Sequence, residues 1–336
     1  MRRGPRRHDE RLNDSGSRTM RYRNLGRTRL RVSEVSLGTV ELGMEYGLKA
    51  GGEPGVPAES DARILLNRAI DSGVNFIDTA ALYGNSEEII GRAVGSRRSE
   101  YVLATKCMHR LEEGLDYAES RKSIATSIDQ SLSRLQTDHI DLLQVHGRDL
   151  LELELRMIRD GEVMEELAGA RDAGKVRFAG YSSYSEEAAL AAIEDGRWDT
   201  LQIPCNILDR RYLERVIPEA RRRGVGVIVR SALLKGALTE KSRFMPEKLK
   251  PLVAHIDRLV EVQSATRFSL PELALRFVLS IPDVSTIIVG ADKIAYLDEA
   301  VSVSDGRGLS EETLLALEDM ALDDPYLLNP GNWGIP

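Results

Sequence analysis

The chain has 336 residues, 42% of them hydrophobic, and a formal net charge of −7. That length suits a single α/β barrel able to bury a large core, and the acidic balance argues against nucleic acid as a partner. The two cysteines, Cys107 and Cys205, form no CxxC pair, which excludes a disulfide scaffold and points to a reducing, cytoplasmic compartment; with no apolar run of roughly 18 residues, no membrane span is expected.

Residues 1–19 carry six arginines and almost no apolar residues. The Arg2-Arg3 and Arg6-Arg7 pairs are not followed by the apolar stretch of an export signal, so this segment is predicted to be a disordered tail. A single domain with a C-terminal extension is expected over 20–336. Apolar runs predict strands at 32–37, 75–79, 101–106, 140–146, 176–182, 200–205, 226–231 and 284–290. Several are continuously apolar, as strands buried on both faces must be. Helical spacing fills the intervals. Ser86 before Glu87 and Glu88 reads as a capped helix start. Segment 119–135 keeps Ile124, Ile128, Leu132 and Leu135 on one face. Ser185 opens a helix with two acids in its first turn, 213–223 ends in three arginines and Gly224, and 269–280 is helical before Pro282.

Eight such alternations make either a closed barrel or a doubly wound sheet. No GxGxxG turn marks the dinucleotide site of the latter, so the expected fold is a (β/α)8 TIM barrel. The loops at 38–60 and 234–261 are long. In a barrel both leave the C-terminal face, where active sites are built.

Four polar residues stand at or just beyond successive predicted strand ends: Asp78 in NFIDTA, Tyr83 in ALYGNSE, Lys106 in YVLATK and His146 in IDLLQVH. Singly, each has a plainer reading: a turn residue, a loop aromatic, a snorkelling lysine, a core histidine. Barrel geometry converges them at one mouth, and their chemistry is complementary there. An ammonium beside a phenol favours its ionised form, a carboxylate holds the ammonium, and an imidazole can hold a carbonyl oxygen while the phenol protonates it.

DTAALYGNSEEIIGRAV, followed by ATK and LLQVH, resembles the aldo-keto reductase signature, and the likeness extends over roughly residues 20–301. It implies a nicotinamide-dependent oxidoreductase acting on an aldehyde, ketone or sugar-like carbonyl, or on the matching alcohol. It also implies catalytic roles for Asp78, Tyr83, Lys106 and His146. Ser182, Ser183 and Gln202 would lie at the carboxamide. Ser231, Leu233, Lys235 and Gly236 would follow the pyrophosphate, and Gly290, Asp292, Lys293 and Tyr296 would surround the adenosine. NADP(H) is the expected cofactor through Lys293, with NAD(H) as the alternative. Arg230 stands where an aromatic ring is common, and its guanidinium plane can stack instead. Asp292 and Ala300 also depart from the common pattern. An epimerase or dehydratase that recycles bound cofactor, and a cofactor-sensing binding subunit, are the competing functions. No metal site is expected, and the oligomeric state is not read from the sequence. The segment 326–336 is too rich in Pro and Gly for a further helix and is expected to fold back to the mouth, placing Trp333 near the substrate.

Overall fold

Eight short apolar segments pair side by side in parallel and close on themselves, as the strand pattern predicts. The structure, a computed structural model, describes residues 20–49 and 55–335, so the tail expected at 1–19 lies outside the described residues. A hairpin comes first: β1 (Tyr22–Asn24) runs antiparallel to β2 (Arg31–Ser33). The barrel strands are β3 (Val35–Gly38), β4 (Phe76–Asp78), β5 (Val102–Cys107), β6 (Ile140–His146), β7 (Val176–Ser182), β8 (Thr200–Pro204), β9 (Gly226–Arg230) and β10 (Val284–Gly290). They follow one another around the barrel in chain order, and β10 closes it on β3. Helices occupy the connections, which makes the fold the (β/α)8 barrel.

The predicted strand at 32–37 is two elements. Its break falls at Glu34, a buried carboxylate that accepts from Arg23 Nε at 2.8 Å and from Ser304 Oγ at 3.0 Å. A charge satisfied in that way cannot continue a doubly buried strand. The chain therefore turns from the hairpin into the barrel at that point. The hairpin closes the barrel floor. Leu25 and Val32 pack against Phe76, Ala104, Leu142 and Ile228, with Phe178 and Ile288 completing the cluster.

Side chains two positions apart on a strand share a face. The floor residues Phe76, Ala104, Leu142, Phe178, Ile228 and Ile288 are therefore followed, one repeat nearer the mouth, by Asp78, Lys106, Gln144, Gly180, Arg230 and Gly290. Within this layer Gly38 pairs with Asp78, Lys106 with Gln144, and Gln144 with Gly180, while between β4 and β5 the register is staggered, Asp78 pairing with Ala104. Further along β6 and β7, His146 pairs with Ser182, and Ser182 with Gln202, which itself pairs with Ile228 of β9.

Helix Ser86–Val94 starts where expected, but Ser86 is not its cap. Asn85 occupies that position, and the Ser86 hydroxyl turns inward to donate to the Thr39 carbonyl at 3.0 Å and to accept from Thr79 Oγ1 at 3.0 Å. It thereby ties the ends of β3 and β4 to the loop that carries Tyr83. Gly43 lets the same loop approach, since a Cβ there would lie 2.0 Å from the Tyr83 carbonyl oxygen. Ser185 and Ser269 do cap their helices, accepting from the amides of Ala188 and Glu272. The two long loops contain short helices, and the second runs into helix Lys250–Ser264. Among the described residues no helix is long and apolar enough to cross a membrane.

Candidate active site

Lys106 Nζ donates to Asp78 Oδ2 at 2.5 Å, to the Thr79 carbonyl at 3.0 Å and to the Tyr83 hydroxyl at 3.3 Å. The other Asp78 oxygen accepts from Gln144 Nε2 at 3.1 Å and from Gln202 Nε2 at 2.9 Å. The carboxylate is thus held from β5, β6 and β8 at once. The cost of burying such a pair is offset because each group is the other's partner and the remaining lone pairs are satisfied. His146 meets Tyr83 edge-on, with ring centroids 6.0 Å apart and planes at 87°. The four residues picked out by the sequence form one cluster, although Asp78 and His146 are far apart in the chain.

Burial pushes the Tyr83 hydroxyl well above the usual phenol range, and the Asp78 carboxylate adds to this while Arg230 opposes it. The expectation that Lys106 would make Tyr83 more acidic is therefore corrected. Desolvation of the phenolate is the largest effect on this hydroxyl. Burial also lowers the Lys106 pKa, against the pull of Asp78. His146 lies well below the ordinary imidazole range, first through burial and then through Lys106, Arg230 and Arg148. It is neutral at pH 7, with one ring nitrogen to donate and one to accept. Its Nδ1 is buried and has no hydrogen-bond partner in the structure.

A cavity of about 290 Å³ opens over this cluster. Asp78, Tyr83, His146, Gln202 and Arg230 form one end, and Gly290, Asp292 and Tyr296 lie toward the other. Ser231, Leu233, Lys235 and Gly236 line the cavity as well. Lys106 is buried beneath the wall. Ser182 and Ser183 are buried behind it; Ser183 Oγ donates to the Ser185 carbonyl at 2.8 Å. Lys293 lies outside the lining, immediately before helix Ile294–Ser302, with its ammonium 5.4 Å from the Tyr296 ring centroid. Asp292, which would repel a phosphate, is paired with Lys49 at 2.8 Å.

Among the lining residues that sequence reasoning missed are Glu41, Tyr46, Lys49, Tyr184 and Lys241. For these five the available signal was loop length, because all but Tyr184 belong to the two long loops. Lys241 stands 4.9 Å from the Tyr296 ring centroid, giving that end a further cation. Glu41 packs its carboxyl over Gly290, where a Cβ would come within 2.0 Å of Oε1, and its Oε2 is buried without a hydrogen-bond partner. Burial, with Asp292 adding, raises its pKa to about 7.

The C-terminal segment does return to the mouth, where Lys235 Nζ donates to the Ile335 carbonyl at 2.6 Å. Two expectations about it are corrected. A helical turn, Pro325–Leu328, forms because Asp324 caps it and proline suits a first helical position. Trp333 is fully buried rather than on the cavity wall, and its indole N–H donates to the Leu327 carbonyl at 3.2 Å. Apolar burial outweighs display of the ring to the cavity.

A phenol, a neutral imidazole and a buried ammonium–carboxylate pair at one cavity end can hold a carbonyl oxygen and exchange a proton with it. The rest of the lining fits a dinucleotide: Arg230, Lys235, Lys241 and Lys49 face its negative charge, and Leu233, Leu275 and the tyrosines offer surfaces for flat rings. The model of the aldo/keto reductase family matches residues 34–321. Over 321 residues the chain is 32% identical to an uncharacterized oxidoreductase of Bacillus subtilis, covering 91% of this chain and 98% of that one. It is 30% identical over 310 residues to the L-galactose dehydrogenase of Arabidopsis thaliana, covering 88% and 92%. Among solved structures, an aldo-keto reductase from Bacillus halodurans in its holo form matches with a TM-score of 0.72 at 29% identity, covering 90% of this chain and 96% of that one.

Proposed function

The chain belongs to the aldo/keto reductase family of nicotinamide-dependent oxidoreductases, and from that premise we propose that it reduces an aldehyde, ketone or sugar-like carbonyl, or oxidises the matching alcohol, with Tyr83 as the general acid or base. The observation that carries this reading is the contact of Lys106 with both Asp78 and Tyr83 at the cavity end that His146 shares. The hydride for the carbonyl carbon would be supplied by a reduced nicotinamide held in this cavity. Tyr83 gives its proton to the carbonyl oxygen, and solvent replaces that proton after the alcohol leaves. Neutral His146 donates a hydrogen bond that orients the oxygen, and Lys106 stabilises the phenolate left behind. Asp78, held by Gln144 and Gln202, keeps Lys106 in place.

For the cofactor, Gln202 has its amide nitrogen on Asp78 and offers its oxygen to a carboxamide, with Ser182 and Ser183 supporting that wall. Ser231, Leu233, Lys235 and Gly236 flank the phosphates. Gly290, Asp292, Lys293 and Tyr296, joined by Lys241, surround the adenosine. NADP(H) is the preferred form in this reading, because two lysines flank Tyr296 and Lys49 pairs with the Asp292 carboxylate. A charge-assisted contact contributes about 1.5–3 kcal/mol. Replacing Lys241 or Lys293 by alanine should therefore weaken NADP(H) by about tenfold or more while sparing NAD(H). Equal losses for both cofactors would refute the preference.

Tyr46, Tyr83 and Tyr184 give the cavity aromatic walls suited to a sugar face, and a sugar dehydrogenase is among the relatives. The test is a panel of carbonyls and sugars assayed with both cofactors by the absorbance of reduced nicotinamide. Net cofactor turnover supports the reading. Substrate conversion without net turnover would establish a recycling epimerase or dehydratase instead. The free, buried cysteines are the basis for the cytoplasmic assignment.

A further inference from the structure

Arg230 ends β9, and its guanidinium reaches past β8 to the end of β7. It donates to the Ser183 carbonyl at 3.1 Å and to Ser231 Oγ at 3.3 Å, and it stacks 4.3 Å from the Tyr184 ring centroid. All three partners are neutral. Among the described residues no carboxylate pairs with it, whereas many arginines elsewhere on this chain do have one, such as Arg98 on Asp141 and Arg276 on Asp305. The other cation at this end, Lys106, is matched by Asp78. Arg230 is thus a fixed positive charge on the cavity wall, and guanidinium does not deprotonate in proteins. Its field is felt across the reacting end: it lowers the pKa values of Tyr83, Lys106 and His146 alike.

The proposed reaction places a carbonyl oxygen at Tyr83 and His146, so the ring that gives up hydride must lie beside the same groups, within the field of Arg230. That ring is neutral when reduced and carries one positive charge when oxidised. We infer that Arg230 makes this protein select the reduced cofactor from a mixed pool and release the oxidised one, an inference that rests on the nicotinamide reading of the site. Two like charges at this range, in a cleft intermediate between protein and water, change an equilibrium by on the order of tenfold. As a catalyst the protein leaves the solution equilibrium unchanged. By linkage, the bound redox couple shifts toward its reduced form by the same factor. The bias in loading and release is thus matched by an equal displacement of the bound hydride equilibrium toward the reduced cofactor. In function it suits a reductase that must stay loaded where oxidised cofactor is plentiful.

The test is equilibrium titration of the full chain with the reduced and oxidised forms of NADP and of NAD, followed by quenching of tryptophan fluorescence. The proteins are the parent, Arg230→Leu and Arg230→Lys. The parent should bind the reduced form more tightly. Arg230→Leu should collapse that ratio by about tenfold, mainly by tightening the oxidised form. Arg230→Lys, which keeps the charge, should retain most of it. A ratio unchanged in Arg230→Leu, with both forms still bound, overturns the inference and leaves the proposed function standing. Failure of the parent to bind either cofactor overturns both. If Arg230→Leu does not fold, Arg230→Gln keeps the hydrogen-bonding reach without the charge, and the same ratio decides.

Discussion

The floor and the mouth of this barrel are separated by one strand repeat, yet they solve opposite problems. At the floor, Phe76, Ala104, Leu142 and Ile228 meet Leu25 and Val32 of the hairpin in an apolar plug. The carboxylates at that end are fully engaged: Asp141 accepts from Leu103 N–H at 3.0 Å, from Arg98 at 2.6 Å and from Arg177 at 2.5 Å. At the mouth, the next residue on each strand face is polar or glycine. His146 Nδ1 and Glu41 Oε2 are buried without partners, and Ser231, Leu234 and Lys235 adopt positive φ angles beside the cavity. The same residue types stabilise the fold at one end and stand ready for a ligand at the other. What separates them is whether their hydrogen-bonding capacity is used up inside the chain.

The comparison breaks most sharply if the floor affects chemistry. Phe76→Ala should cost about 3–5 kcal/mol of stability, the usual cost of emptying an aromatic core site. The folded fraction should keep its Michaelis constants. A urea titration beside steady-state assays checks this, and a selective fall in kcat would show that floor and mouth are mechanically coupled.

Tyr83→Phe tests the opposite separation. The loss in turnover should be at least about 10²-fold, the scale of a missing general acid, with melting temperature and cofactor affinity nearly unchanged. Near-normal turnover would remove Tyr83 from the chemistry.

Asp141→Asn should cost about 1–3 kcal/mol and spare activity. Burial alone would raise the Asp141 pKa, but the Leu103 amide, Arg98 and Arg177 outweigh burial and hold it below the ordinary carboxylate range. A depressed folded value contributes stability that is present above the unfolded pKa and is lost as pH falls through the folded one. The difference between parent and variant should therefore be full at pH 7 and shrink in strong acid. A gap that persists there would assign the effect to packing.

The smallest effect is expected at Glu41. Its carboxyl faces Asp292, Lys49 and Lys241 and titrates at about pH 7. Ionisation would place a negative charge beside an anionic cofactor, so affinity should fall a few-fold, roughly, as pH rises through 7. Glu41→Gln should flatten that profile. An identical profile in parent and variant would mean that the carboxyl does not face the bound cofactor.

Much of this molecule is legible in local pattern. Doubly buried strands read as apolar runs, and the barrel order follows from eight of them in sequence. Asp78, Lys106 and His146 lie at strand ends that any such barrel brings to one mouth. Local pattern failed where distant neighbours decide. The first predicted run splits at Glu34 because Arg23 and Ser304 satisfy its carboxylate there. Tyr83 is a weaker acid than its ammonium neighbour suggested, because burial penalises the phenolate and the Asp78 carboxylate adds to that penalty. Trp333 is buried in the C-terminal turn rather than displayed at the cavity. Glu41 and Lys241 reach the cavity from loops whose composition names no partner. Periodicity is a property of neighbours along the chain, so the sequence by itself determined the elements, their order and the residues at their ends. Desolvation and charge are summed over everything nearby in space, so the protonation of those residues, and which loop groups join them, were decided by the tertiary structure alone.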